Sequence, residues 1–495
     1  MTRPKILVAN RGEIAVRILR TCREMGLPSV AVYTSVDQSA LHVRSADEAI
    51  FIGEPRQYLN IQAILQAAQQ SGATAIHPGY GFLAENADFA RAVEAAGLIF
   101  IGPRAETVAR MGDKLAARRA ARKAGLPVLA GTDAPLPPDL PVELIKTIQY
   151  PVLVKAAAGG GGRGIRLARS PEELPAMIEA ARREAQSAFQ DDTVFLESLV
   201  QSARHIEVQI LGDGKGNVLC LGERECSIQR RRQKLIEEAP APGLPDDLRR
   251  QIHEAALQLG RSLRYRSLGT VEFLLDDQGR FYFIEVNPRI QVEHPVTEMV
   301  TGLDIVQHQI ALALGEPLRL RQEDIHVRGA AIEARILAED SQAGFLPSTG
   351  EILYLKEPGG PGIRVDSALY PGMKVGAEYD SLLAKLIAWG ETREHAIRRL
   401  QRALHEYQIG GLSTDIDFLL QIIESPAFLK GEVNTTYLES FSPKPPEPSP
   451  ELERQLAFAA ALYAHYQQSR LGQNHPNRPI SYWQMVGWRE QMNRL

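Results

Sequence analysis

The first hundred residues alternate short apolar runs with amphipathic ones, and that order narrows the possible folds sharply. KILVAN, SVAVYT, AIFIG, AIHPG and LIFIG read as strands, while EIAVRILRTCREMG and IQAILQAAQQSG carry the apolar period of helices. Strands separated by helices become parallel neighbours, and the helices then cover both faces of the sheet. The sequence therefore predicts an α/β protein that begins with an open parallel, Rossmann-like sheet.

Residues 113–126, DKLAARRAARKAGL, predict a connecting helix into a second unit. There YPVLVKAAAGGGGRGIRLAR, TVFLESLV, HIEVQILGD and NVLCLGERE are strand-rich, and GTVEFLLDDQGRFYFIEVN predicts a hairpin turning at Asp277-Gln278-Gly279. A β-rich stretch from about 331 to 390 is followed by helices to about 441. SPKPPEPSPE (442–451) reads as a Pro-rich linker, and beyond it Leu452, Leu456, Ala459, Tyr463 and Tyr466 share one face of a tail helix.

Length and charge then exclude several classes. A chain of 495 residues holds two to four domains, and a net charge of −4 gives no general pull toward nucleic acid or an anionic membrane. No apolar run is long enough to span a bilayer, and MTRPKILVAN enters a strand at once without a signal-peptide core. Cys22, Cys220 and Cys226 lack metal-ligand spacing and fit a reducing compartment, so a soluble cytoplasmic protein is expected.

Several motifs carry candidate chemistry. Lys155 and the glycines up to Gly164 follow the apolar run PVLV; they form either a flexible linker or a hairpin whose backbone N–H groups cover phosphates. The run matches neither a P-loop nor a GxGxxG fingerprint. The hairpin sets Glu272 on one strand and Glu285 and Asn287 on the next, oxygen ligands suited to Mg²⁺ beside nucleotide phosphates. The bland alternative is a pair of solvated strand-end glutamates. QRRRQK (229–234) reads as a solvated basic face or, with Arg289, as a collector of a small anion. His77 and His205 have no ligand pattern and read first as structural.

Taken in order, ANRGEIAVRILR, HPGYGFLAEN, MGDK, KAAAGGGGRG, RHIEVQ, QRRRQK, EEAPAP, EVNPRIQVEHPVTE and FLPSTG resemble the biotin carboxylase component of biotin-dependent carboxylases, an ATP-grasp enzyme, over roughly residues 3–441. The resemblance implies an ATP-dependent ligase. MgATP activates bicarbonate to carboxyphosphate, and the CO₂ released is captured by N1 of biotin on a separate carrier. It implies an N-terminal domain at 1–112, an ATP-grasp domain at 113–330 with a Gly-rich lid at about 131–199, and a C-terminal α+β domain at 331–441, before the linker and tail at 442–495.

Carried over by motif, Glu272, Glu285 and Asn287 resemble ligands of Mg²⁺ (or Mn²⁺) and ATP. Arg289 resembles the bicarbonate- and carboxyphosphate-binding residue, with Lys234 and the Val292 backbone beside it, and Glu293 the base that deprotonates bicarbonate. Lys114 and Lys155 resemble phosphate-binding lysines, and Gly161 and Gly162 lie in the lid. Glu197, Ser198 and Val200 fall in the adenine-binding stretch, and His205 and Gln229 fall near ribose and phosphates. Arg335 resembles the residue that stabilises the biotin enolate, and Tyr80 lies in the loop lining the biotin pocket. Three positions depart from the pattern: Ala158 for a glycine, Arg232 for a histidine and Ser198 for a lysine.

The family also implies partners: a biotin carboxyl carrier protein, carboxyltransferase subunits and a second copy of the chain, since Arg17, Arg20 and Arg364 match interface positions. No Ala-Met-Lys-Met attachment sequence occurs, and GMKVG (372–376) lies inside the carboxylase region. SYWQMVGWR faintly resembles a segment of larger acyl-CoA carboxylase α-chains. Rival readings are another ATP-grasp carboxylate ligase, the corresponding subunit of a two-subunit pyruvate carboxylase acting in place of an acetyl-CoA or related acyl-CoA carboxylase, and a non-catalytic ATP-binding scaffold.

Overall fold

The expected alternation produces a five-stranded parallel sheet in the order Glu48–Gly53, Ser29–Thr34, Ile6–Val8, Ala75–His77, Ile99–Phe100. This is a computed structural model, and it describes residues 3–138, 145, 148–158, 164–444 and 450–473. The strand order reverses at Ile6–Val8, so a crevice opens beyond its carboxyl end and that of Ala75–His77. Asn10 stands in it, donating from Nδ2 to the carbonyls of Pro78 (2.8 Å) and Tyr80 (2.7 Å). Gly79 has φ +63°, and a Cβ there would meet Asn10 at 2.7 Å, so the HPGYG turn needs its glycine. The helix Gly12–Glu24 turns Ile14, Ala15, Ile18, Leu19 and Cys22 toward the sheet; burial pushes the Cys22 thiol up to about 12, which leaves it an inert core residue.

The predicted hairpin forms as Arg266–Leu275 and Phe281–Asn287, with Asp276 accepting the Gln278 and Arg280 N–H groups in the turn. It is one edge of an eight-stranded antiparallel sheet. From the hairpin the order continues through Arg204–Asp213, Val218–Arg230, Gln233–Ala239, Ala330–Leu337, Leu382–Gly390 and Ile363–Ser367. Gln233–Ala239 pairs with Ala330–Leu337, so hydrogen bonding runs unbroken across residue 330. On one face Ile206, Val208 and Ile210 enter a core with Val271, Phe273 and Phe283. The helices Arg393–Glu406 and Ile416–Ile423 cover the far end through Leu400, Leu404, Leu419 and Ile423.

A three-stranded antiparallel sheet, Ile165–Ala168, Val152–Ala156 and Val194–Ser198, has a small core of its own with Leu174, Ile178 and Ala181 of the helix Leu174–Phe189. Gly161 and Gly162 lie outside the described residues. The predicted helix at 113–126 runs Lys114–Lys123, capped by Asp113. Lys374 of the GMKVG segment sits in a two-residue strand paired with Gly350–Glu351. Residues 444–495 form a second unit, whose helix Pro450–Gln473 carries the expected tail residues. Phe458 and Leu462 widen the apolar arc, and SYWQMVGWR lies outside the described residues. Among the described residues no helix is long and apolar enough to cross a membrane.

Candidate active site

The register of three strands builds the floor of the site. Glu207 stands opposite Glu272, and Glu272 opposite Glu285. Directly opposed residues of an antiparallel pair share a face, so three carboxylates form one row. Alternation explains why: in RHIEVQI the isoleucines and valine turn to the core, and His205, Glu207 and Gln209 turn to the row. Glu207 and Glu272 are nonetheless buried, which unpaired carboxylates would not tolerate.

Lys234 neutralises the row. Its ammonium donates to Glu207 Oε2 (2.6 Å), Glu272 Oε1 (3.1 Å) and Glu293 Oε1 (2.5 Å). Burial alone would lower its pKa, but the surrounding acidic groups raise it well above the usual lysine value. Behind Glu207, the fully buried Arg224 donates from Nε to Oε1 at 2.5 Å and from NH1 to Gln209 at 2.8 Å. Glu272 also meets His205 Nε2 at 2.9 Å and accepts Nδ2 of Asn287 (2.8 Å) and Nε2 of Gln291 (3.1 Å). Burial would push the Glu272 carboxyl up; Lys234 and His205 hold it well below the carboxylate range, and Glu272 in turn raises His205 against its burial.

Glu293, fully buried, precedes the helix His294–Thr301 and is gripped from two sides. Lys234 holds Oε1, and Arg335 NH2 donates to Oε2 at 2.9 Å. Despite burial, these cations keep the carboxyl far below its ordinary value. Arg335 is shared with Glu237 Oε1, to which its Nε donates at 2.7 Å; burial raises Glu237 to about 7 even beside the guanidinium. Arg289 turns NH2 to Asn287 Oδ1 (3.2 Å) and NH1 to the Ile290 carbonyl (3.1 Å), with Glu85 Oε1 3.0 Å from Nε.

At the other end of the carboxylate row Glu285 is pushed up by burial and by Glu272, and pulled down by Lys114 and Lys155. Lys155 donates to Glu197 Oε2 at 2.6 Å, while Arg118 NH1 occupies Oε1 at 2.8 Å. Burial lowers the Lys114 ammonium, and its backbone N–H bonds the Ala157 carbonyl at 3.0 Å. The all-oxygen set Glu272, Glu285 and Asn287 fits a hard divalent cation that would relieve the repulsion between the facing carboxylates, with phosphate oxygens completing its shell. Lys114 and Lys155 are the cations suited to those phosphates.

The remaining expected residues fall around these groups. Ser198 ends the strand Val194–Ser198 and bonds the Ala130 carbonyl through its N–H (2.7 Å), and Val200 follows, half-buried, just before a turn. Gln229 faces Lys234 across its hairpin, and Val292 offers its carbonyl to Lys385 at 2.9 Å. Tyr80 donates its hydroxyl to Glu13 on the helix Gly12–Glu24. His77 is the structural residue expected of it: its ring Nδ1 accepts the Gly79 N–H at 3.0 Å, and burial lowers it to about 3. Arg231 and Arg232 make the hairpin turn with φ of +50° and +65°.

Sequence reasoning missed Glu207, Arg224, Glu237, Gln291, Glu85, Arg118 and Lys385. Glu207 alone had a readable signal, the polar alternation of RHIEVQ, which puts it on the same strand face as His205.

An open parallel sheet, a three-stranded sheet that carries Lys155, and a buried carboxylate row with cations define an ATP-grasp ligase. The chain belongs to the biotin carboxylase family: residues 2–108 match the biotin carboxylase N-terminal domain, 113–321 the carbamoyl-phosphate synthase L chain ATP-binding domain, and 333–440 the biotin carboxylase C-terminal domain. It is 52% identical over 442 residues to the biotin carboxylase of a Nostoc species, covering 88% of this chain and 99% of the relative. A dimer of the biotin carboxylase domain of Hydrogenobacter thermophilus 2-oxoglutarate carboxylase, with MgADP, ADP and bicarbonate, superposes with a TM-score of 0.86 at 48% identity, over 89% of this chain and 98% of that one. A Campylobacter jejuni biotin carboxylase bound to a β,γ-ATP ligand gives 0.86 at 45% identity, over 89% and 99%.

Proposed function

We propose that the chain carries out the first half-reaction of an acetyl-CoA or related acyl-CoA carboxylase, the MgATP-dependent carboxylation of carrier-bound biotin by bicarbonate. The observation that carries the reading is Glu293, held between Lys234 at the bicarbonate end and Arg335 at the biotin end. When bound between Glu272, Glu285 and Asn287, Mg²⁺ or Mn²⁺ supplies charge stabilisation on the transferring phosphoryl group. Lys114 and Lys155 steady the phosphates, Glu197, Ser198 and Val200 border the adenine, and His205 and Gln229 border the ribose side. Lys234, Arg289 and the Val292 backbone bind bicarbonate in line with the γ-phosphate.

Glu293 is a poor base while both cations grip it. Bicarbonate competes for Lys234, and the biotin ureido oxygen competes for Arg335, so substrate arrival frees the carboxylate to accept a proton. Arg335 then faces the ureido oxygen as negative charge develops there, with Tyr80 beside it.

Carrier protein and carboxyltransferase act as partners in a cytoplasmic complex, and a second copy completes a homodimer. Within one subunit Arg17 and Arg364 already pair with Glu298, at 2.8 and 2.7 Å, so the exposed Arg20 is the arginine left to meet the partner. The purified chain is expected to hydrolyse ATP only with bicarbonate and to carboxylate free biotin slowly, and a biotinylated carrier faster. Absence of bicarbonate-dependent hydrolysis would favour the scaffold reading. Isolation of the native complex identifies the acceptor, and a pyruvate-specific carboxyltransferase there would replace the acyl-CoA reading.

A further inference from the structure

The strand Leu382–Gly390 places Lys385 directly opposite Arg335 on one side and Asp366 on the other. Two cations opposed across a strand pair repel, and Lys385 is fully buried. Such an ammonium persists only where its partners offset the lost hydration. Its Nζ donates to the Val292 carbonyl oxygen at 2.9 Å, and lies 3.2 Å from Glu13 Oε2 and 3.8 Å from Asp366 Oδ2. Asp366 already accepts both NH2 and Nε of Arg364 at 2.8 Å, so it does not depend on Lys385 for neutralisation. The Glu13 contact lies off the hydrogen-bond axis. The contact with full hydrogen-bond geometry goes to the loop that carries Glu293.

That loop has a second anchor. His294, kept neutral by burial and by the charges of Lys385, Arg17 and Arg364, sets Nδ1 2.8 Å from the Gln291 carbonyl. The two anchors fix the peptides on either side of Val292, whose backbone is assigned to bicarbonate in the function proposed above. Glu13 meanwhile accepts the Tyr80 hydroxyl through its other oxygen.

We propose that Lys385 is a positioning residue joining the two substrate ends of the site: its hydrogen bond fixes the Val292–Glu293 peptide that aims the base, and its ion pair with Glu13 steadies the Tyr80 loop. This rests on the function proposed above. Nucleotide binding, held by Lys114, Lys155 and the carboxylate row, stands apart from both arms.

The test uses the full chain. Lys385→Met is compared with wild type in bicarbonate-dependent ATP hydrolysis, free-biotin carboxylation and calorimetric MgADP binding. A fall of about a hundredfold in kcat/KM for bicarbonate is expected, with MgADP affinity within about threefold. Unchanged bicarbonate kinetics, or an equal loss of MgADP affinity, would overturn the proposal. Because the single variant leaves Glu13 without its cation, Lys385→Met/Glu13→Gln is measured alongside it, with the same outcome expected. Glu13→Gln alone keeps the Val292 anchor and should raise KM for biotin while leaving KM for bicarbonate unchanged; a matched rise in both would refute the division into two arms. A wild-type chain lacking bicarbonate-dependent hydrolysis would overturn the proposed function instead, whatever the variants do.

Discussion

The parallel sheet and the eight-stranded sheet are both buried, yet they bury opposite kinds of residue. Ile6, Leu7, Val8, Val30, Val32 and Ile76 make the first an apolar slab. The second conceals Glu207, Arg224, Glu237, Glu272, Glu333 and Lys385. Its ions survive because cross-strand register gives nearly all of them a counter-ion within reach. Glu333 is the exception: neither oxygen has a hydrogen-bond partner, and burial drives its carboxyl well above the carboxylate range. A sheet of the first kind holds positions, and one of the second kind holds charge ready to be redistributed. Changes in the second should therefore strike chemistry, and changes in the first should strike stability alone.

The largest expected effect comes from Glu293→Gln. Losing its charge leaves Lys234 and Arg335 each short of a carboxylate and removes the proton acceptor. Turnover should fall by at least about a hundredfold, with MgADP binding close to normal by calorimetry. A variant retaining more than about a tenth of wild-type turnover would end the assignment of Glu293 as base. Arg335→Ala comes next: biotin carboxylation should drop about 10²–10³-fold, and bicarbonate-dependent ATP hydrolysis by less, because Arg335 acts after carboxyphosphate forms. Equal losses would move Arg335 to the bicarbonate end and erase the division within the charged sheet.

The two sheets were also unequally legible. Apolar strands alternating with helices announce a parallel sheet directly, since the pattern and the fold share one cause. The hairpin likewise put Glu272 and Glu285 on paired strands, but the turn's register sets Phe273 against Phe283, and an irregularity between Glu272 and Phe273 is what brings Glu272 opposite Glu285. Glu207 opposite Glu272 depends on pairing between strands 65 positions apart (207 to 272), which no turn specifies. Glu237 and Lys385 were hidden for the same reason: each meets its partner, Arg335 or Val292, across about a hundred residues of chain. A buried acid or lysine in an alternating strand looks the same in sequence as one facing solvent. Only the packing of other elements over that face distinguishes them.

A third change asks whether buried charge in the large sheet matters without chemistry. Glu223, away from the row, accepts from Arg249 Nε at 2.9 Å and meets His253 Nε2 at 2.7 Å. Burial would raise it, but His253 and Arg249 hold it at about 2; His253, lowered by burial, is lifted to about 10 by its contacts with Cys220 and Glu223. Glu223 thus adds stability above its unfolded value near 4.5, lost as pH falls toward 2. His253 adds stability below its unfolded value near 6.5, lost as pH rises toward 10. Glu223→Gln should lower unfolding free energy by about 3 kcal/mol between pH 4.5 and 6.5, a deficit that disappears as pH falls toward 2 and shrinks only in part as pH rises toward 10, because Arg249 still pairs with Glu223 there. Denaturant titrations at several pH values check this. A uniform deficit across pH would mean that packing, not charge, is what the substitution removes.

The smallest effect belongs to the apolar sheet. Asn60 caps the helix Ile61–Ser71, its side-chain oxygen accepting the Gln62 N–H at 3.0 Å and the Ala63 N–H at 3.3 Å. That helix buries Ile64, Ala67 and Ala68 against the parallel strands and carries no residue of the site. Alanine at position 60 leaves two N–H groups to water in the first turn, which costs about 1 kcal/mol. Asn60→Ala should therefore shift the denaturation midpoint slightly, with kcat and both substrate KM values unchanged. The crevice at the strand-order reversal gives this expectation its edge. Asn10 and the Tyr80 loop are seated there, so a scaffold that flexed when one cap was lost would raise KM for biotin. A rise of that kind, without a matching change for bicarbonate, would show that the parallel sheet tunes the biotin end as well as supporting it.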